Sequence, residues 1–272
     1  LEYPLKQYNY LIVTTIFLIF CVNSYAEALD TKFAYIGDAG HATYKGASQG
    51  LLEANLQGEF LGLKYSIDDF TKNNYKETNL ESYIAIFTQV DKTTLIEISA
   101  SYPNTPVFNL SLKDNDLRFS CVNNILHTAA SDKMLKDAEN QWQKKKPDSG
   151  ANAKAWHPDF VKFAARDLNK RFKKSHGQNM NSDAWAGWAA VKMTSDAIAR
   201  TKISTSENML NYLKTELVFD GQKGSGMSFR ETGQLRQLIL LVENGKIVAE
   251  APVRGIAKPP TLDSLGILNC AK

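Results

Sequence analysis

Between Phe33 and Leu110 the chain alternates short apolar runs with stretches of helical spacing, and that rhythm restricts it to few architectures. Phe33-Ala34-Tyr35-Ile36-Gly37 reads as a strand ending in glycine. Residues 43–57 follow, with Ala47, Gly50, Leu51, Ala54 and Leu56 recurring on one helical face. Leu61–Ile67 alternates as a second strand, and Tyr83–Phe87 is a compact third. Asp91–Ala100 reads as a short helix, and Pro106–Leu110 as a fourth strand. Four strands interleaved with helices predict an α/β fold, a parallel sheet with helices on its faces. Ser131 opens another helix, with Met134, Leu135, Ala138 and Trp142 at helical spacing. A 43% hydrophobic content and a net charge of +3 support a packed core. They exclude a disordered chain and the basic face of a nucleic-acid binder.

The first residues read as an address. Lys6 precedes the apolar run Leu11–Val22, which ends in Ser24-Tyr25-Ala26, with small residues where a signal peptidase reads. The run is shorter than the roughly 20 residues a membrane helix needs, so residues 1–26 are expected to be a cleaved signal peptide, with the mature chain starting at Glu27 and carrying no membrane span. The alternative is a buried N-terminal strand or helix. A lipoprotein reading through Cys21 is weaker, because bulky Phe20 stands where a small residue is required.

Export leaves two cysteines, Cys121 and Cys270, and an oxidising compartment favours one disulfide between them. A loop of that length is worth up to about 5 kcal/mol by chain entropy. Two buried free thiols are the alternative. Neither cysteine has a second ligand at zinc spacing, and no metal or cofactor is expected.

Residues 144–154 are charged, small and poor in apolar side chains, and read as a linker between residues 27–143, an N-terminal α/β lobe with the start of a second, and residues 155–272, a helical return segment with a C-terminal hairpin expected to pack on the first lobe. Beyond it come expected helices over Phe160–Lys174, Ser182–Arg200 (capped by Asn181 or Ser182) and Ser206–Leu217. Strands follow at Met227–Arg230, Gln237–Glu243 and Lys246–Ala251, the last two joined by an Asn244-Gly245 hairpin.

Several strings mimic catalytic motifs. Gly46-Ala47-Ser48-Gln49-Gly50 matches a nucleophile elbow, but it lies inside a helical pattern, and no triad emerges from His41, His127, His157 and His176. The glycine-rich turn Gly221–Gly226 lacks phosphate-loop spacing. Asp68-Asp69 and Asp114-Asn115-Asp116 lack EF-hand spacing and read as solvated turns. Trp156, Trp185 and Trp188 read as packing residues, with Trp185, near a helix start, the one singled out for ligand contact. No catalytic residue is assigned.

The second half carries a resemblance. Ala184-Trp185-Ala186-Gly187-Trp188-Ala189-Ala190-Val191, running on to Thr201, is followed by Phe219-Asp220-Gly221-Gln222-Lys223-Gly224, Met227-Ser228-Phe229 and Leu238–Val248. This order resembles the type 1 periplasmic binding proteins, the branched-chain amino acid binders of ABC transporters. A narrower set is similar to the subfamily associated with pyrroloquinoline quinone-dependent alcohol dehydrogenases. It includes Asp116-Leu117-Arg118, His127-Thr128, Trp156-His157-Pro158, Gln234-Leu235-Arg236-Gln237 and Thr261–Gly266.

The resemblance implies a periplasmic, non-enzymatic solute-binding protein of an ABC system linked to quinoprotein alcohol oxidation, which takes a small polar ligand, without a cofactor, and delivers it to an inner-membrane permease. It places ligand contacts in the loops after strands one, three and four, which here are Asp38, Thr88 with Gln89, and Asn109 with Ser111. One departure stands out. In the family, further strand–helix units follow a helix like Ser131–Trp142, whereas here the linker follows it directly, so the second lobe is expected to be abbreviated. The alternative reading is an interaction protein whose retained lobe docks a quinoprotein dehydrogenase or a cytochrome.

Overall fold

The computed structural model describes residues 29–224 and 226–271; the expected leader, with its cleavage point after Ala26, lies outside them. The apolar runs become a parallel sheet. The chain enters at β1 (Leu29–Ile36) and passes through α1 (Ala42–Gly58), β2 (Leu63–Phe70), β3 (Ala85–Thr88), α2 (Lys92–Ser101), β4 (Val107–Asn109), α3 (Asn115–Phe119) and β5 (Ile125–His127). The strand order is β2-β1-β3-β4-β5, and every pair is parallel. All residues of β3, β4 and β5 are buried, which is why these strands read as continuous apolar runs. Phe33, Tyr65, Phe87 and Phe108 form a row across one face, with neighbouring ring centroids 5.4–5.9 Å apart.

The chain continues through α4 (Asp132–Lys145), β6 (Asn152–Lys154), α5 (Ala165–His176), α6 (Ser182–Thr201), α7 (Ser206–Thr215), β7 (Ile239–Glu243) and β8 (Lys246–Ala251). Helices α5, α6 and α7 return to the large sheet and cover the aromatic face. α6 lies against α1 at backbone distance. A methyl group on Gly46 would overlap the Ala184 carbonyl, and one on Gly187 would overlap that of Thr43. The Gly46–Gly50 string is therefore a helix-packing surface, and Ser48 sits in mid-helix with no strand leading into it. Asn181 caps α6 by accepting from the Ala184 amide at 2.9 Å. Loss of such a cap costs about 1 kcal/mol.

A second, antiparallel sheet, β6-β7-β8, packs on α4 as a small lobe. Asn244 and Gly245 both have positive φ, 50° and 74°, as the two-residue hairpin turn requires. The Cys121–Cys270 disulfide is present, its Cα atoms 5.6 Å apart, and ties the C-terminal tail to the residues just after α3.

Four expectations are revised. The stretch 144–154 is not all linker: Asn152–Lys154 pairs with Leu240–Val242 as the edge of the small sheet. The hairpin does not pack only on the first lobe. Ile239 and Leu241 face Met134 and Ala138 of α4, while Leu240 joins the main core, as strand alternation dictates. Helix α5 starts at Ala165 rather than Phe160, because Phe163 and Ala164 take positive φ of 52° and 65°. That turn lays the Phe163 ring over Gly224, where a side chain would collide with it. Met227–Arg230 makes only isolated bridges, Met227 with Phe219 and Phe229 with Leu235.

Candidate functional site

In a doubly wound sheet the loops after adjacent strands diverge where the strand order reverses, leaving a crevice at their carboxyl ends. With the order β2-β1-β3-β4-β5, that point lies between β1 and β3. A depression of about 470 Å³ opens there, lined by Gly37, Asp38, Thr71, Lys72, Asn73, Gln89, Val90 and Asp91. The structure brings two of the expected ligand residues together in it. Gln89 Oε1 accepts from the Asp38 amide at 3.1 Å, and Asp38 Oδ1 accepts from the Gly40 amide at 2.8 Å. Asp38 is exposed and Gln89 half-buried, so a carboxylate and an amide face the depression.

Gly37 is required here. A side chain on it would run into the Gln89 carbonyl and Cβ, at 2.8 and 2.9 Å, and its φ is 157°. Across the depression, Lys72 and Asp91 form an ion pair at 2.6 Å. Hydrogen bonds from Lys72, then from the Thr94 amide and hydroxyl, hold the Asp91 carboxyl well below the usual range. These residues follow β2 and β3, and the Lys72 loop was outside the loops that the resemblance pointed to. The signal for it was a polar run, Thr71-Lys72-Asn73-Asn74, directly after an alternating strand.

Thr88 and Asn109 are placed differently. Thr88 is buried and donates its hydroxyl to the Phe108 carbonyl at 2.7 Å. Asn109 Nδ2 bonds the Leu112 carbonyl and His127 Nδ1, and its Oδ1 accepts from the amides of Ser111 and Leu112. Both amide protons and both lone pairs of Asn109 are thereby engaged within the protein. The two side chains join β3, β4 and β5 at their carboxyl ends, beneath the surface. Ser111 is half-buried on that surface. Trp185 is fully buried. Its ring stacks on Trp156 at 6.1 Å, its Nε1 donates to the Gly221 carbonyl at 3.0 Å, and Lys223 Nζ lies 3.5 Å over its face. The glycine-rich turn thus closes over an indole. Burial pushes the Lys223 amine well below its usual range.

A second hollow of about 510 Å³ lies where the large and small lobes meet, between Lys113, Ala129 and Ala130 on one side and Lys154–Pro158 and the start of α6 on the other. His157 is largely buried there. Its Nδ1 accepts from the Asp159 amide at 3.2 Å, and burial, with the Lys154 charge adding to it, lowers its pKa. Beneath this junction Arg118 is fully buried. It donates to Gln234 Oε1 and to the carbonyls of Asp114, Leu112 and Ala129, at 2.8–3.0 Å. Burial brings its guanidinium down to about 10, against the opposing pull of Asp114, Asp132 and Asp116. Gln234 extends the network to the carbonyls of His127 and Ala129.

Among the described residues, no three His, Cys, Asp or Glu side chains converge as metal ligands, and no helix is long and apolar enough to cross a membrane.

No family model matches the sequence, and no curated protein matches it. The fold has clear counterparts. A branched-chain amino acid ABC transporter periplasmic ligand-binding protein of Burkholderia xenovorans superposes with a TM-score of 0.68, at 11% identity, over 81% of this chain and 95% of that one. The chain has the fold of the type 1 periplasmic binding proteins. A branched-chain amino acid transporter substrate-binding protein of Streptococcus pneumoniae, solved with isoleucine, gives 0.63 at 11% identity, over 82% of this chain and 99% of that one. A leucine-binding protein of Thermotoga maritima gives 0.60 at 11% identity, over 81% and 98%. At these identities the type 1 binding-protein likeness is one of fold.

Proposed function

We propose that this protein is the solute-binding component of an ABC transport system, exported to the periplasm behind a cleaved signal peptide, and that it binds a small polar ligand without catalysis. The observation that carries this reading is the polar depression at the reversal point of a type 1 binding-protein sheet, where Asp38 and Gln89 meet. Asp38 offers a carboxylate to a cationic or hydroxylic group, Gln89 an amide of both polarities, and Ser111 a hydroxyl farther along the edge. Thr88 and Asn109 hold the strand ends that carry these groups. The permease of the same system is the expected partner. The residues shared with the quinoprotein-associated subfamily, Arg118 and Gln234 among them, support a link to alcohol oxidation; in this chain they build the joint between the lobes.

The small lobe, one helix and three strands, serves as an abbreviated second lobe. It offers less wall than a drug-sized ligand needs for full burial, so modest affinity is expected. Thermal-shift titration of the full chain with amino acids, short carboxylic acids, alcohols and quinone cofactor tests the reading. One solute class should raise the melting temperature, and Asp38→Ala together with Gln89→Ala should abolish that rise. A shift that survives both substitutions would place the ligand elsewhere, and no shift from any class would remove the solute-binding reading.

A further inference from the structure

Helix α5 turns Leu168 and Phe172 into the core and leaves its other side in solvent. On that side stand Arg166, Lys170, Lys173 and Lys174, spaced by four, three and one residues, which aligns them along one helix face. None of the four makes an ion pair among the described residues. The neighbouring Arg171 does, reaching Glu53 of α1 at 2.8 Å, and Asp167 is the one acid on the exposed side. The Arg171–Glu53 pair seats α5 beside α1, whose solvent side is unusually apolar. Leu52 is 49% exposed, Leu56 55% and Phe60, just past the helix end, 87%. These three are spaced by four residues and form a stripe. Val161 and Phe163, immediately before α5, are half-exposed as well.

We propose that this joined surface, cationic along α5 and apolar along α1, is a docking face for an anionic phospholipid bilayer. Interfacial binding combines lysines that reach the headgroups with aromatic and leucine side chains that enter the acyl boundary, and the two stripes supply one of each. Flexible lysines suit a broad, diffuse negative surface better than a single fixed carboxylate. A solute binder held at the bilayer in this way is concentrated next to any membrane-embedded partner.

Partitioning of the expected mature chain, residues 27–272, between buffer and two kinds of vesicle tests this: phosphatidylcholine alone, and phosphatidylcholine with phosphatidylglycerol. Binding should be stronger with phosphatidylglycerol and fall as salt is raised. Replacing Lys170, Lys173 and Lys174 with Ala should erase most of the preference, by about fivefold per cation and on the order of a hundredfold together. The same charge change at the end of α4, Lys144, Lys145 and the following Lys146 to Ala, should have much less effect. Leu56→Ser with Phe60→Ser should weaken binding to the anionic vesicles while the circular dichroism melt stays intact. Equal partitioning into both vesicles, equal losses from the α4 and α5 variants, or concentration-dependent dimerisation abolished by Phe60→Ser would each overturn the proposal.

Discussion

The five-stranded sheet carries an apolar core on each face, whereas the three-stranded sheet has one, and alanines at 130, 138, 151, 155 and 251 make up half of its buried members. Small side chains bury little area, so the small lobe is held by polar links instead. Gln141 bonds the Ser264 carbonyl and hydroxyl and accepts from the Val253 amide. Asp137 accepts from the Gly266 amide. Arg230 and Arg236 both hold Asp263, and the disulfide fixes the end of the same tail. The large lobe is stabilised by what it excludes from water, and the small lobe by what it ties together. Changes at the two places should therefore fail in different ways.

The largest effect is expected at the joint. Arg118→Ala removes the donor to Gln234 and to three carbonyls in a buried site, at a cost of about 3–5 kcal/mol. Urea unfolding should show it, with the small lobe losing amide protection before the large sheet. Uniform loss of protection across both lobes would show that they are one cooperative unit. Next, Cys121→Ser with Cys270→Ser opens a loop of 149 residues and should cost about 2–4 kcal/mol. Hydrogen exchange should then speed up at 262–271 and α3 while β1 and β3 remain protected.

In the large lobe, Gly187→Ala forces apart α1 and α6 and should cost about 1–3 kcal/mol. The melting temperature would fall without selective exposure of the tail. The smallest effect near neutral pH concerns His127. Burial, with the Arg118 charge adding to it, holds its imidazole well below the usual range. Stability from this group is complete above the unfolded value of about 6.5 and is lost as pH falls from there, by at most about 1.4 kcal/mol per pH unit. Melting curves across that window should slope downward toward acid, and His127→Gln should flatten the slope.

Much of this division was legible in the sequence. β1 to β4, α1, α2, α4, α6 and the Asn244-Gly245 hairpin follow from periodicity and turn chemistry, because each carries several apolar residues at one period. β5 did not, since Ile125–His127 is three residues long and its pairing depends on β4 and on the Gly233–Leu235 segment bridging His127. β6 is a polar edge strand that exists only because β7 lies beside it. At the site, strand-end position was readable but hydrogen-bond satisfaction was not. Asn109 and Asp38 look alike as short polar residues after strands, yet the fold engages every polar atom of one and leaves the other facing the depression. Trp185 stands at a helix start near the cleft, but a lysine and a second indole enclose it.

The proposed solute site is the depression at the carboxyl ends of β1 and β3, lined by Asp38 and Gln89. Hydrogen exchange of the full chain, with and without each solute of the thermal-shift panel, tests it most directly. One solute should slow exchange at residues 37–41, 71–74 and 88–91 while residues 153–158 and 181–184 are unchanged. Protection confined to that second hollow, or no protection from any solute, would contradict it.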